Sequence, residues 1–531
     1  MSSHHATNPA AHPSRRQVLG WAGLGAGGLV LPRRSLPSAL PRTQAVSEQS
    51  LPPLEIALDA IVERRRLRPG PLTEVWRYQA RLIGGPPEGL AWTQGPLPVP
   101  VLRLRPGQIL KVHFNNQLPE DSNLHWHGLP VPESMDGHPK DAVASGGSRV
   151  YEFPILAEPA TYWFHPHPHM RTAAQVARGL AGFLLVEDPD QEAGLPRGER
   201  DLPLLIQDRS LDAGNANAYA QQMMGFLGDE VAVNGLVGGS IAVEREAYRL
   251  RLLNGSVTRT YKLAWSDGRP LRAVGTDAGL LPAPLDRPYL MLAPGERRDV
   301  VVDFSDLSTG AELALRSLDW DSGGTGGMGM GRPSLIPEGS PFIVARFRAR
   351  GEDFRSRIFL PAALRGAPLQ GSRPSPQVAA RHAESISAAA VTPDRRVVLD
   401  HQGMMQWTLN GRSFEMEAVA SDEVVRLGTE AVWEWDNSVS AMMIVPHALH
   451  VHLVRFKVLE RLIAPRQSAA YATVREGLLD EGWKDTVLVM PGERVRVGMR
   501  FEHYAGLFLY HCHMLDHEDM GMMRNFRVEG A

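Results

Sequence analysis

Ten of the 19 histidines stand in four short clusters, and the only cysteine lies inside the last of them. The clusters are His125-Trp126-His127, His165-Pro166-His167, His447-Ala448-Leu449-His450-Val451-His452, and His511-Cys512-His513 followed by His517. In an extended strand residues i and i+2 project to one face, so each His-x-His pair can present two imidazoles together. Imidazole and thiolate are ligands for zinc and copper. A structural zinc site needs only four of them, and this set exceeds that. A His₂Cys group with a weak axial Met is the blue-copper arrangement. Cys512, His517 and Met522 supply three of its members, and His447 completes it. Eight histidines remain: His125, His127, His165, His167, His450, His452, His511 and His513. They suit three further copper ions at two or three ligands each, with positions left open for oxygen, which makes four copper ions in all. Cys512 would hold one copper while its chain neighbours His511 and His513 hold others, giving electrons a short covalent route.

With these motifs the chain resembles the three-domain multicopper oxidases, such as laccases and the bacterial cuprous oxidases of copper efflux. The resemblance covers essentially the whole mature chain, and the four clusters match the family's copper motifs in order and spacing. It implies an all-β fold of three cupredoxin-like Greek-key β-sandwich domains. A type 1 copper would lie in the last domain, with a trinuclear cluster between the first and last. Carried over, the type 1 ligands are His447, Cys512, His517 and axial Met522. His125 and His450 match the type 2 ligands. His127, His165, His167, His452, His511 and His513 match the type 3 pair. The implied reaction couples one-electron oxidation of a reducing substrate to four-electron reduction of O₂ to water. The chemistry would belong to copper, and the protein would set geometry, potential and access.

Reducing O₂ consumes protons, and two acids adjoin the motifs as candidate catalytic donors. Glu518 follows His517, and Asp136 stands in Ser134-Met135-Asp136-Gly137 after the first His pair. Both match acids that the resembled family uses near its cluster. The reducing substrate is an organic donor, a phenol or aromatic amine, or a metal ion, chiefly Cu(I). Thioether sulfur suits Cu(I), and Met223-Met224, Met404-Met405, Met442-Met443 and Met522-Met523 are paired among 19 Met. Such pairs equally serve to fill a core. Cuprous oxidases of the family often carry a long Met-rich insert. Here Met328-Gly329-Met330 in the Gly-rich run 323–331 is its only echo, and Ser440-Ala441 stand where those relatives place an acid before a Met pair. Asp519 remains nearby as an acidic contact. The expectation is a laccase-like oxidase, with cuprous oxidation as the alternative. A two-domain copper nitrite reductase would not need four His-x-His pairs. Exported three-cupredoxin proteins that lost their coppers and act in structure or division lack the ligands that are all present here.

These ligands need strands to hold them. Helical periodicity is scarce. Alternating runs such as Val101-Leu102-Arg103-Leu104 and Arg494-Val495-Arg496-Val497, bounded by turn residues, predict β-sandwiches. The window from Pro294-Gly295-Glu296-Arg297 to Phe304 agrees at six of eleven positions with that from Pro491-Gly492-Glu493-Arg494 to Phe501. A looser copy begins at Pro106-Gly107-Gln108. One copy per third of the chain suggests a repeated domain. Domains are expected at 50–190, 198–350 and 395–531, with 361–394, rich in Ala, Ser, Pro and Arg, as a linker.

An apolar content of 43% in 531 residues excludes whole-chain disorder, and a net charge of −3 gives no footprint for nucleic acid. No apolar run reaches the roughly 18 residues that span a bilayer. Ser14-Arg15-Arg16 precedes a weakly apolar stretch from Val18 to Leu31. This reads as a twin-arginine export signal over 1–45, recognised by the twin-arginine export machinery, with a periplasmic or secreted mature protein. A monomer suffices, because both ligand-bearing domains lie in one chain. Trp126 is expected to pack. His113, His138, His169, His382, His401 and His503 have no partner at ligand spacing, although His138 and His169 lie near ligands in sequence.

Overall fold

The strand Ile109–Asn116 carries its apolar residues at every second position, and Leu110, Val112 and Phe114 accordingly point into a core while Lys111, His113 and Asn115 point out. That alternation recurs along the chain and builds six sheets, in a computed structural model that describes residues 51–324, 333–350, 392–403, 406–439 and 444–530. The expected export signal, most of the expected linker, Met328, Met330, Met404, Met405, Met442 and Met443 lie outside these residues.

The sheets pair into three sandwiches. Between Leu54 and Val186, a four-stranded and a five-stranded sheet enclose a core that includes Ile56, Val112, Trp126 and Phe164. Between Asp201 and Ala349, a seven-stranded and a five-stranded sheet enclose Leu250, Leu263, Val300 and Phe347. Between Arg395 and Glu529, two five-stranded sheets enclose Trp433, Val497, Cys512 and Phe526. The sheets are mixed. Parallel pairs such as Leu54–Arg65 with Ile109–Asn116 sit beside antiparallel ladders, so crossovers join the two layers of a sandwich. This is the cupredoxin-like all-β fold. Among the described residues no helix is long and apolar enough to cross a membrane.

A network of buried ion pairs lies where the first and second sandwiches meet, and a hydrogen bond from Thr161 links it to the first. Arg249 bonds Asp299 and Glu192, Arg251 bonds Asp201, and Thr161 of the first sandwich donates to Asp299 at 2.7 Å. All these side chains are almost fully buried. Removing one partner would strand a buried charge, a loss of about 3–5 kcal/mol.

Trp126 does pack. It is fully buried, with its ring 5.3–5.7 Å from those of Tyr151, Phe153 and Phe164. Because it alternates with His125 and His127, it anchors their strand from the core side. Trp126→Ala is expected to destabilise the first sandwich by about 3–5 kcal/mol, read as a lowered urea midpoint. An unchanged midpoint would contradict this packing role.

Candidate metal centres

Strand register places the histidines. His125–His127 pairs antiparallel with Ala160–His165, putting His125 opposite His165 and His127 opposite Trp163. His447–Val451 pairs with Gly506–Cys512, putting His450 opposite His511 and Leu449 opposite Cys512. Alternation then separates two chemistries along one strand. Cys512 belongs to the core of the third sandwich, whereas His511 turns to the other face, toward the first sandwich.

On the core side, Cys512 Sγ lies 3.5 Å from His447 Nδ1 and 3.6 Å from His517 Nδ1, and the two nitrogens are 3.2 Å apart. His517 comes from the short helix Leu515–Asp519, and its carbonyl accepts from Met522 N at 2.9 Å. Met522 is fully buried in the same core. Trp407 closes the group. Its ring lies 4.4 Å from that of His517 and 5.1 Å from that of His447, and its indole N–H donates to the Met223 carbonyl at 3.0 Å. Burial pushes the Cys512 thiol up to about 12 and His447 down to about 3. An apolar core thus gathers two neutral imidazoles and a thiol, a donor set suited to a soft metal that would deprotonate the sulfur.

On the other face, eight histidines converge. Ligand atoms of His167, His452 and His511 lie within 4.8 Å of one another, as do those of His125, His127 and His165, and of His125, His450 and His452. The Nε2 of His511 is 3.3 Å from that of His167 and 3.2 Å from that of His452. The His513 ring lies 4.8 Å from that of His127 and 5.2 Å from that of His165. Burial first, and then neighbouring imidazoles, hold His127, His165, His167, His450, His452 and His513 well below 6.5. The rings are therefore neutral, with lone pairs to offer. Nε2 of His125, His165 and His450, Nδ1 of His127 and both nitrogens of His513 make no hydrogen bond among the described residues. Buried polar atoms are ordinarily satisfied, so this concentration of orphaned nitrogens fits metal ions.

Outer partners fix the rings. The carboxylate of Asp136 accepts from His452 Nδ1 at 2.7 Å, and its carbonyl accepts from His125 Nδ1 at 2.8 Å. Glu518 lies 3.4 Å from His167 Nδ1 and 3.3 Å from His511 Nδ1. Burial, and then the charge of Asp519, push its carboxyl well above the usual range. Asp519 itself accepts from the N–H groups of Thr172 and Ala173 at 3.1 and 2.9 Å, at the start of the helix Thr172–Arg178. Both sequence-predicted acids thus stand beside histidines of the motifs.

Sequence reasoning missed Asp485. Its carboxylate accepts from His127 Nε2 at 3.0 Å, and its carbonyl accepts from His450 Nδ1 at 2.8 Å. A charged pair, Lys484-Asp485, directly before the buried strand Thr486–Val489 was the available signal. His138 is held by Asn525 and the Lys140 amide, and the exposed His169 packs its ring 5.1 Å from that of Phe414. Met223 and Met224 are half-buried, and Met223 packs on the third core.

Comparison with known proteins agrees with this geometry. Two family models, each described as multicopper oxidase, match residues 75–191 and 390–531. A laccase of Bacillus stratosphericus is 30% identical over 83% of this chain and 90% of its own. The cell division protein FtsP of Xenorhabdus nematophila is also 30% identical, over 98% of this chain and 99% of its own. The crystal structure of McoA multicopper oxidase from Aquifex aeolicus superposes with a TM-score of 0.70 at 30% identity, covering 91% of this chain and all of that one.

Proposed function

The chain belongs to the multicopper oxidase family and is an oxidoreductase that uses O₂, and from that premise we propose that it is a laccase-like oxidase of phenols and aromatic amines. The observation that carries this reading is Cys512, which sits between two imidazoles on one strand face while its neighbours His511 and His513 turn to the other histidines. Four coppers would be held, one by His447, Cys512, His517 and Met522 and three by the eight remaining histidines. In type terms, His125 and His450 would serve the type 2 ion and the other six the type 3 pair. Copper bound there would take electrons singly from the reducing substrate and deliver four to O₂.

The chain's own residues do the rest. Asp136 holds the proton of His452 on Nδ1 and so turns Nε2 inward. Glu518, between the Nδ1 atoms of His167 and His511, is placed to hold a proton at its carboxyl and release it toward O₂ as charge builds there. Trp407 excludes water from His447 and His517. The organic substrate is favoured over Cu(I) because the chain lacks a long Met-rich insert and a relative named as a laccase is 30% identical to it. The remaining parts of the reading are domains at 50–190, 198–350 and 395–531, a linker at 361–394, twin-arginine export of a monomer over a signal at 1–45, and a periplasmic or secreted site of action.

Loading with Cu(II) tests it. About four coppers per chain, a blue absorption band and a separate type 2 electron paramagnetic resonance signal are expected. Binding of no copper would instead favour a structural role like that named for the FtsP relative. Met522→Leu should keep the blue band and raise its reduction potential, because the axial ligand tunes that potential. A lowered or unchanged potential in a redox titration of the band would contradict the assignment of Met522.

A further inference from the structure

The second sandwich supplies none of the clustered histidines, yet one of its turns reaches them. This turn, Pro294-Gly295-Glu296-Arg297, is one of the three repeated Pro-Gly turns. Gly107, Gly295 and Gly492 all adopt positive φ, at 83°, 83° and 72°. A Cβ on Gly107 would meet nothing within 4 Å, whereas one on Gly295 would lie 2.9 Å from the His513 ring. Here the turn lies directly against a candidate ligand.

Two residues on, Arg297 is fully buried and its guanidinium is saturated. Nε donates to the Thr161 carbonyl at 2.8 Å. Nη1 donates to the Gly295 carbonyl at 2.8 Å and to Asp485 Oδ1 at 2.7 Å. Nη2 donates to the Asp277 carbonyl at 2.8 Å and to Asp485 Oδ2 at 2.5 Å. Thr161 belongs to the first sandwich, on the strand that carries His165, and Asp485 belongs to the third. One planar fork therefore ties all three sandwiches, and its rigid donor geometry holds the Asp485 carboxylate in one orientation. The Asp485 carboxylate in turn accepts a hydrogen bond from His127 Nε2, and its carbonyl accepts one from His450 Nδ1. A neutral imidazole has one N–H, so His127 Nδ1 and His450 Nε2 are left as the ligand atoms. Both are among the orphaned nitrogens. The approach is close: a Cβ on Gly128, next to His127, would fall 2.3 Å from Asp485 Oδ2 and 2.9 Å from Arg297 Nη2.

We propose that this turn of the second sandwich is a positioning element for the cluster. Arg297, through Asp485, fixes which nitrogens of His127 and His450 face the metal, and Gly295 lets the turn seat His513. The proposal rests on the reading that these histidines hold copper.

The test compares wild type with Arg297→Lys, Gly295→Ala and Asp485→Asn, each loaded with Cu(II) and challenged with a chelator. Lysine keeps the charge but cannot make the bidentate bridge, and asparagine keeps the size of Asp485. Loss of such outer partners lowers metal affinity by about 10–100-fold. The expected result is loss of cluster copper at lower chelator concentration and an altered type 2 resonance, with the blue band retained. Wild-type copper retention and an unchanged type 2 signal in all three variants would overturn the proposal. So would joint loss of blue and cluster copper alongside a lowered melting temperature of the metal-free protein, since that marks a purely structural clamp. Wild type that binds no cluster copper would contradict the proposed function itself, whereas unaffected variants of a copper-holding wild type contradict only this inference.

Discussion

Cys512→Ser abolishes the blue absorption band and the oxidation of phenols while leaving the eight histidines on the other strand face able to hold copper. Cys512 is the only thiol in the chain, and its Sγ lies 3.5 Å from His447 Nδ1 and 3.6 Å from His517 Nδ1. Serine offers a hard oxygen in place of a soft, polarisable donor, and the blue site depends on thiolate. The side chain is fully buried, so an unpartnered hydroxyl there costs about 1–3 kcal/mol. Cys512→Ala avoids that cost and serves as the second variant. Both should retain the type 2 resonance, because His511 and His513 stay in register with their partners. A blue band that survives either substitution would sink the assignment of Cys512. Oxidation of phenols at the wild-type rate would sink its role as the route for electrons.

Glu518→Gln slows the reoxidation of reduced enzyme by O₂ by about 10²–10⁴-fold, the usual contribution of a positioned acid, while the blue band stays intact. The reason is geometric. The carboxyl lies 3.4 and 3.3 Å from the Nδ1 atoms of His167 and His511, inside a site with no other acid against both rings among the described residues. Glutamine preserves size beside both rings, and His511 keeps its own bond from Nδ1 to the Cys512 carbonyl, but glutamine has no acidic proton to give. Stopped-flow mixing of reduced protein with O₂, followed at the blue band, reads the effect. Unchanged reoxidation would remove Glu518 from proton delivery. A lost blue band would mean that it only supports the fold.

The candidate site was unusually legible in the sequence because its chemistry is local in strands. Four His-x-His pairs state both ligand type and face, and the cysteine between two histidines already implies two sites on opposite faces of one strand. The alternating runs likewise announced β-sandwiches, and the three Pro-Gly turns announced a repeated domain. What stayed hidden is what depends on chain crossings. Asp485 reaches His127 across 358 positions, and Arg297 reaches Asp485 across 188, through contacts between sandwiches that no spacing rule encodes. Trp407 looks like any core aromatic until the fold sets its ring 4.4 Å from that of His517. The three Pro-Gly turns read alike in sequence, and only the packing of the second sandwich against His513 sets Gly295 apart from Gly107. The same limit explains why His138, close to ligands in sequence, proves to be held by Asn525 and Lys140 instead.

The most direct test of the whole account is O₂ uptake by copper-loaded protein, with 2,6-dimethoxyphenol or Cu(I) as the reductant and with or without added Cu(II). The account predicts strong uptake with the phenol in the absence of added copper, and water rather than peroxide as the product. Strong Cu(I) turnover, with phenol activity only when Cu(II) is added, would contradict the laccase-like reading and place the substrate among metal ions. No uptake with either reductant, from protein that holds its coppers, would contradict the oxidase itself.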